Sequence, residues 1–316
     1  MRTLRFHEYG APADVLRLED AEPPAPEPGQ IRVAVQTCGL TPADWALCGG
    51  LFPGDLPRGI GLEVAGVVDA LGAGVTGTEP GDPVFGPVPF TGPTAGASDY
   101  ALLDIWFPRP PGLDPVRAAA LPMAVETACR GLDMLGVHGG TVLVHGAGTT
   151  VGYAAVQMAL ERGARVFATA GDTYGPALRA MGAEVTGYGD GLADRVRDLA
   201  GGPVDLVLDT APPSNALPAL IRTVEAPDHV LTLSDFAAAA ETGVRLAFGD
   251  ADDAKAALRT DVLGEYADRA AAGHFSIPVA ATFPLADWAT AAKLSLSGHA
   301  HGKLVLQVGR TETVAQ

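Results

Sequence analysis

The sequence predicts an α/β protein in which a doubly wound parallel sheet is set inside a second, β-rich domain. Three observations carry that expectation. In the stretch 141–152, TVLVHGAGTTVG, an apolar β-branched run passes through a glycine-rich turn into a helical pattern, with Val151, Ala154, Ala155, Met158 and Ala159 at helix spacing. Next comes an alternation: an apolar run at 165–169, a helical stretch to Met181, a short strand at 183–185, a helix at 192–199 and a strand at 205–209. Strands alternating with helices predict parallel βαβ units. The flanks differ, since strand candidates at 31–35 and 62–68 are separated by Pro/Gly-dense turns such as 22–29 and 81–83.

Taken in order, residues 1–120 read as the first part of an irregular β barrel or half-barrel, 121–266 as the inserted parallel-sheet domain, and 267–316 as a return to the first. A helical stretch at 115–135 leads into the insertion, and an apolar strand at 229–233 is placed to supply an edge of its sheet. The return comprises the mixed segment 273–278, a helix over 285–296 and a closing strand at 303–307; the tail after Gly309 is expected to be disordered. With 316 residues and 47% hydrophobic content, the chain can fill two cores. Its formal charge of −16 argues against nucleic acid or an anionic membrane surface as partner, because both require clustered basic residues. No apolar run approaches a membrane span, and the opening MRTLRFHEYG has no signal-like core, so a cytoplasmic location is expected. Cys38, Cys48 and Cys129 are too few for a disulfide framework or a zinc knuckle and read as reduced packing residues.

The turn at 146–152 points to a ligand. A strand running through glycines into a helix aims unpaired N–H groups and the positive end of a helix dipole at one spot, where an anion such as pyrophosphate fits. Gly146, Gly148, Thr149, Thr150, Val151 and Gly152 are therefore candidate cofactor-binding residues, although the spacing GxGxxxG is not the usual dinucleotide pattern.

The chain resembles the medium-chain dehydrogenase/reductase superfamily, and within it the zinc-independent quinone oxidoreductase and enoyl reductase branch. The resemblance covers nearly the whole length: VAVQTCGLTPAD (33–44), GLEVAGVV (61–68), AAALPMAVETA (118–128), TVLVHGAGTTVG, RGARV (162–166), MGAEV (181–185), FPLADWATA (283–291) and HGKLVL (301–306). It implies a Rossmann-type NADP-binding domain inserted into a GroES-like catalytic domain, and a homodimer. Zinc-dependent relatives would carry cysteine at 41 and histidine at 62; this chain has Thr41 and Leu62, so no zinc or other metal is expected. An alcohol substrate is then less favoured than a small-molecule quinone or enone.

The resemblance implies NADPH over NADH. Ala170 stands where NAD-preferring relatives place a carboxylate, and Tyr188 matches a family tyrosine that contacts the extra phosphate, with Thr169 or Arg179 assisting. Asp172 disagrees, and Tyr188 also reads as an ordinary half-buried loop aromatic. In this branch an asparagine and a tyrosine often serve the substrate; the matching residues are Thr41 and Phe52, so one donor is a hydroxyl and the phenol is missing. Thr127 is placed near the nicotinamide half. Where relatives carry two glycines, Thr149 and Thr150 are expected to cap the helix and donate to phosphate. Lys303 reads either as facing the cofactor or as a solvated strand end. Trp45 and Trp106 read as packing more than pocket, Asp44 and His145 as structural, and the loop 89–98 as a lid. Two alternatives stand beside hydride transfer to a quinone or conjugated C=C bond: an enoyl-thioester reductase on a carrier-bound chain, and a nucleotide-binding protein without reductase activity.

Overall fold

The computed structural model describes residues 1–247 and 258–309, so the tail after Gly309 lies outside the described residues. The chain divides into two compact units, Met1–Met123 with Thr260–Gln316, and Ala124–Arg259. Burial of the alternating side chains Ile31, Val33 and Val35 sets the core face of the first unit.

In that unit β1 (Arg2–Phe6) pairs antiparallel with β2 (Leu16–Asp20) and β4 (Arg58–Gly59). A second sheet is built around β3 (Ile31–Leu40) and β5 (Glu63–Leu71), with β6 (Pro83–Pro87) and β8 (Phe107–Pro108) beyond β5, and β7 (Tyr100–Leu103) on β3. The chain returns through two strands, Val279–Pro284 and Lys303–Gln307, and the latter pairs antiparallel with β3. This is the GroES-like β-rich domain. Helices α1 (Pro12–Val15) and α2 (Pro42–Cys48) are short, and each carries proline in its first turn, where no N–H is needed.

The helical stretch at 115–135 is two helices, α3 (Pro115–Ala118) and α4 (Pro122–Leu135). Proline disfavours helical backbone in the residue before it, so Leu121 cannot continue α3, while Pro122 can open α4. The loop at 89–98 is no free flap. Its backbone bonds to β4 and its neighbours, with Gly59 N donating to Gly92 O at 3.1 Å, Ala97 N to Ile60 O at 2.9 Å and Gly96 N to Gly61 O at 2.8 Å. Ala95, Ala97 and Ser98 are buried. Trp45 is core, its indole N–H donating to Ser295 Oγ at 2.8 Å. All three cysteines are free and buried.

The second unit is the Rossmann-like parallel sheet. Among the described residues its order is β11 (Glu184–Thr186), β10 (Arg165–Thr169), β9 (Thr141–His145), β12 (Leu206–Asp209), β13 (Val230–Thr232) and β14 (Arg245–Leu246), every pair parallel. The strand at 229–233 is thus interior to β14 rather than outermost. Helices α5 (Thr150–Glu161), α6 (Gly175–Met181) and α7 (Leu192–Ala200) alternate with the strands as the sequence predicts. No helix among the described residues is long and apolar enough to cross a membrane.

Lys303 is not a solvated strand end. Its ammonium is buried against Glu63 Oε1, while Glu63 Oε2 accepts from Met123 N at 2.8 Å. Removing one partner of such a pair strands a charge in the core. Lys303→Met is expected to lower unfolding free energy by about 3–5 kcal/mol, measured by urea denaturation. Glu63→Gln in the same background should restore most of the loss.

Candidate functional site

Each strand of the parallel sheet is apolar until its last residue. In register, the final positions form a belt of Thr186, Thr169, His145, Asp209 and Thr232, all buried. Thr169 Oγ1 accepts from Gly146 N at 2.9 Å and lies 2.8 Å from His145 Nδ1. The Thr169 hydroxyl proton is therefore free to go to Nδ1, which leaves the imidazole proton on Nε2. Burial pulls the His145 pKa down to about 4, so the ring is neutral near pH 7. Asp209 accepts from Thr232 Oγ1 at 2.8 Å and Ala211 N at 3.2 Å, and burial pushes its pKa up to about 6.

On this belt sits the turn between β9 and α5. Gly146 is left-handed (φ +78°), and a Cβ there would lie 2.6 Å from Ala211 N, so no other residue fits without a shift. Gly152 is equally constrained, since a Cβ would meet Gly146 O at 2.3 Å. Thr149 is the helix N-cap, accepting from Gly152 N at 2.9 Å. Its oxygen lies 3.2 Å from Thr210 Oγ1, whose own proton goes to His145 O (2.8 Å) or Gly146 O (3.0 Å). Hence the Thr149 proton belongs to Thr210. The capping expected of Thr149 is present, but its donor is committed within the protein.

Gly148 differs from both constrained glycines. It lacks positive φ, and the nearest atom to a Cβ there would be Tyr174 Cδ2 at an ordinary 3.5 Å. Nothing in the protein demands glycine at this position. The N–H groups of Gly148, Thr150 and Val151 have no hydrogen-bond partner among the described residues, and neither has the Thr150 hydroxyl. Three free amides at a helix N-terminus, beside a glycine that leaves the approach open, fit the pyrophosphate of a dinucleotide.

Other expected site residues fall elsewhere. Thr169 lies beneath the turn and shapes it. Tyr188 is 68% exposed, and its hydroxyl lies 3.6 Å from where a Cβ on Gly171 would be, just past the end of β10. Ala170 is buried and Asp172 exposed. Thr127, on α4, is half-buried and donates to Glu126 Oε2 at 3.1 Å. In the β-rich unit, Thr41 is buried at the start of α2, its hydroxyl donating to Asp44 Oδ2 at 3.1 Å. Asp44 also accepts from Thr41 N and Gly61 N, each at 2.7 Å, and burial pushes its pKa up to about 6. Phe52 is 41% exposed and left-handed (φ 54°), its ring 5.7 Å from that of Phe90.

Sequence reading missed three residues. Arg58 is fully buried and donates to Phe52 O at 2.6 Å and Phe90 O at 3.1 Å, joining the two aromatic loops. Thr210 locks the turn, and Asp209 closes the belt. The run LVLDT signals a buried strand, but nothing in it announces that its last two side chains face a neighbouring turn. Among the described residues no three His, Cys, Asp or Glu side chains are grouped to hold a metal ion.

Comparison with known proteins then places the chain. Residues 27–102 match the alcohol dehydrogenase GroES-like domain and residues 181–306 the zinc-binding dehydrogenase family. The chain belongs to the medium-chain dehydrogenase/reductase superfamily. It is an oxidoreductase of that superfamily, whose members depend on NAD(P). A quinone oxidoreductase of Rattus norvegicus is 36% identical over 185 residues, 56% of this chain and 55% of that protein. A spectinabilin polyketide synthase system protein, NorB, of Streptomyces orinoci is 43% identical over 160 residues, half of this chain but 7% of its own length. The chain thus spans about half of the first relative and a small part of the second. An alcohol dehydrogenase superfamily protein from Novosphingobium aromaticivorans superposes with a TM-score of 0.83 at 28% identity, covering 98% of this chain and all of that one.

The belt yields a pH test. Asp209, with its pKa raised from 3.8, favours folding at low pH and loses that contribution as pH rises through about 6; His145, lowered from 6.5, costs stability as pH falls towards 4. In the acid range the two slopes oppose each other. Asp209→Asn removes the first, so stability should fall more steeply from pH 7 to pH 4 than in the parent, by about 2–3 kcal/mol, read as urea midpoints at both pH values.

Proposed function

We propose that this protein is a zinc-independent, NADPH-dependent oxidoreductase that delivers hydride to a quinone or an electron-poor conjugated C=C bond. The carrying observation is the open cradle: free N–H groups on Gly148, Thr150 and Val151 around a glycine the fold itself does not need. In this reading those amides and the Thr150 hydroxyl grip the pyrophosphate, Gly146, Thr149 and Gly152 hold the turn in shape, and Tyr188 faces the adenosine ribose. Ala170 leaves room there for a phosphate where a carboxylate would repel it. Thr127 serves the nicotinamide half. Lys303 acts indirectly, by holding Glu63. Zinc independence is favoured by Thr41 and Leu62, a hydroxyl already bound to Asp44 and a side chain without a donor atom. Location in the cytoplasm and assembly as a homodimer belong to the same reading.

The acceptor class follows from where protons can come from. Bound reduced nicotinamide supplies the hydride, and negative charge then builds on the substrate oxygen. Phe52 offers an apolar face and no proton, and the Thr41 proton is held by a carboxylate. A quinone tolerates that poverty, because its reduced anion is stable and water can protonate it. The match to a polyketide synthase system protein favours a second reading, reduction of a carrier-bound enoyl thioester.

Following loss of reduced nicotinamide absorbance with NADPH and a panel of quinones, enones and enoyl thioesters separates these readings. Quinones are expected to turn over fastest. Preference for enoyl thioesters would favour the second reading, and NADPH binding with no acceptor reduced would leave a nucleotide-binding protein. Gly148→Ala should leave the melting temperature unchanged, since its Cβ meets nothing closer than 3.5 Å, yet weaken NADPH binding by at least about tenfold, as measured by nicotinamide fluorescence titration.

A further inference from the structure

The loop that carries Tyr188 is held by one guanidinium. Arg195, on α7, donates from Nε to Thr186 Oγ1 at 3.2 Å and from Nη2 to Gly187 O at 3.0 Å and Tyr188 O at 3.3 Å; from Nη1 it donates to Asp190 O. A second cation, Arg179 on α6, donates from Nη2 to Val185 O at 3.1 Å. Neither guanidinium lies within ion-pair distance of a carboxylate among the described residues. Carbonyl acceptors fix a guanidinium without cancelling its charge. In a chain with 37 acidic and 21 basic residues, two such cations on one six-residue segment call for an explanation. The surface they reinforce holds the Tyr188 hydroxyl, folded towards Gly171 at the end of β10.

We propose that Arg195 is a specificity-determining, positioning residue of the adenosine end of the site, an inference that rests on the NADPH reading above. By gathering four acceptors of the 186–190 segment it fixes where the Tyr188 hydroxyl stands. Together with Arg179 it gives that edge of the sheet a positive potential. A ribose 2′-phosphate carries close to two negative charges and responds to both effects, whereas a 2′-hydroxyl is nearly indifferent to the potential. Arg195 does not touch the cofactor; it sets the place and field in which Tyr188 meets it. Asp172, the one acid near the end of β10, would otherwise bias the site towards the hydroxyl.

Direct binding tests the assignment without relying on turnover. Dissociation constants for NADPH, NADH, 2′,5′-ADP and 5′-AMP are measured on the parent chain and on R195Q and R195K, with thermal melting as a fold control. R195Q should weaken NADPH and 2′,5′-ADP by about tenfold, the loss expected when a charge-assisted support is removed, while NADH and 5′-AMP stay unchanged. R195K, which keeps the charge but cannot fork across the same acceptors, should fall between the two. Raising salt should weaken NADPH binding more in the parent than in R195Q. If the parent prefers NADPH and R195Q keeps the same preference, or loses affinity for all four ligands alike, the role of Arg195 is refuted and the NADPH reading stands. If the parent binds NADPH and NADH equally, the NADPH reading itself fails and this inference falls with it.

Discussion

One backbone constraint governs the nucleotide-binding unit: Gly146 turns left-handed directly against Ala211, with no space for a side chain. From that residue the chain leaves the sheet and enters α5. The turn would be loose if glycine alone made it, because glycine loses more conformational freedom on ordering than any other residue. Three threonine hydroxyls tighten it: Thr169 accepts from Gly146 N, Thr210 donates to the carbonyls beside it, and Thr149 caps the helix. Each comes from a different strand end or loop, so the geometry of the cradle is inherited from the register of β9, β10 and β12. A one-residue slip of any of them would send its hydroxyl to the opposite face.

This arrangement explains which features could be read from sequence. The strand, turn and helix at 141–161 are local, and periodicity and glycine spacing reveal them at once. So does the alternation that follows, where helix and strand boundaries fall within a residue or two of expectation. Proline chemistry also lies in the sequence, and the break before Pro122 follows from it. What stays hidden is long-range. Thr210 lies 61 residues from Thr149, and nothing near either tells which way its hydroxyl points. Arg58 looks like a surface residue in a polar loop, yet it is buried with its donors on the carbonyls of Phe52 and Phe90. Lys303 and Glu63 are 240 residues apart and could be matched only once β3 had been seen between their strands.

The charged groups follow one rule on both units. Buried cations are met either by an acid, as with Lys303 on Glu63 and Arg130 on Glu126, or by carbonyls, as with Arg58. The first kind contributes rigidity and becomes destabilising when either half is lost. The second leaves its charge intact, and in Arg58 it joins two loops whose aromatic rings, Phe52 and Phe90, stand partly exposed. That wall offers a flat, apolar surface backed by positive potential, well suited to a ring that takes on negative charge.

Proton placement then narrows the chemistry. Thr149 has given its proton to Thr210, Thr169 has its proton free for His145, and Thr41 has given its own to Asp44. Among the hydroxyls expected at the site, Thr150 is left without an internal partner, and it stands beside free amides where an anion belongs. The chain therefore has donors available for holding phosphate, but none of these threonines can release a proton to a substrate. Where relatives carry a phenol, Phe52 has only ring carbon. A substrate that must be protonated as hydride arrives would stall in such a site. One that spreads the arriving electron pair over its own ring and carbonyls, and waits for water, would not.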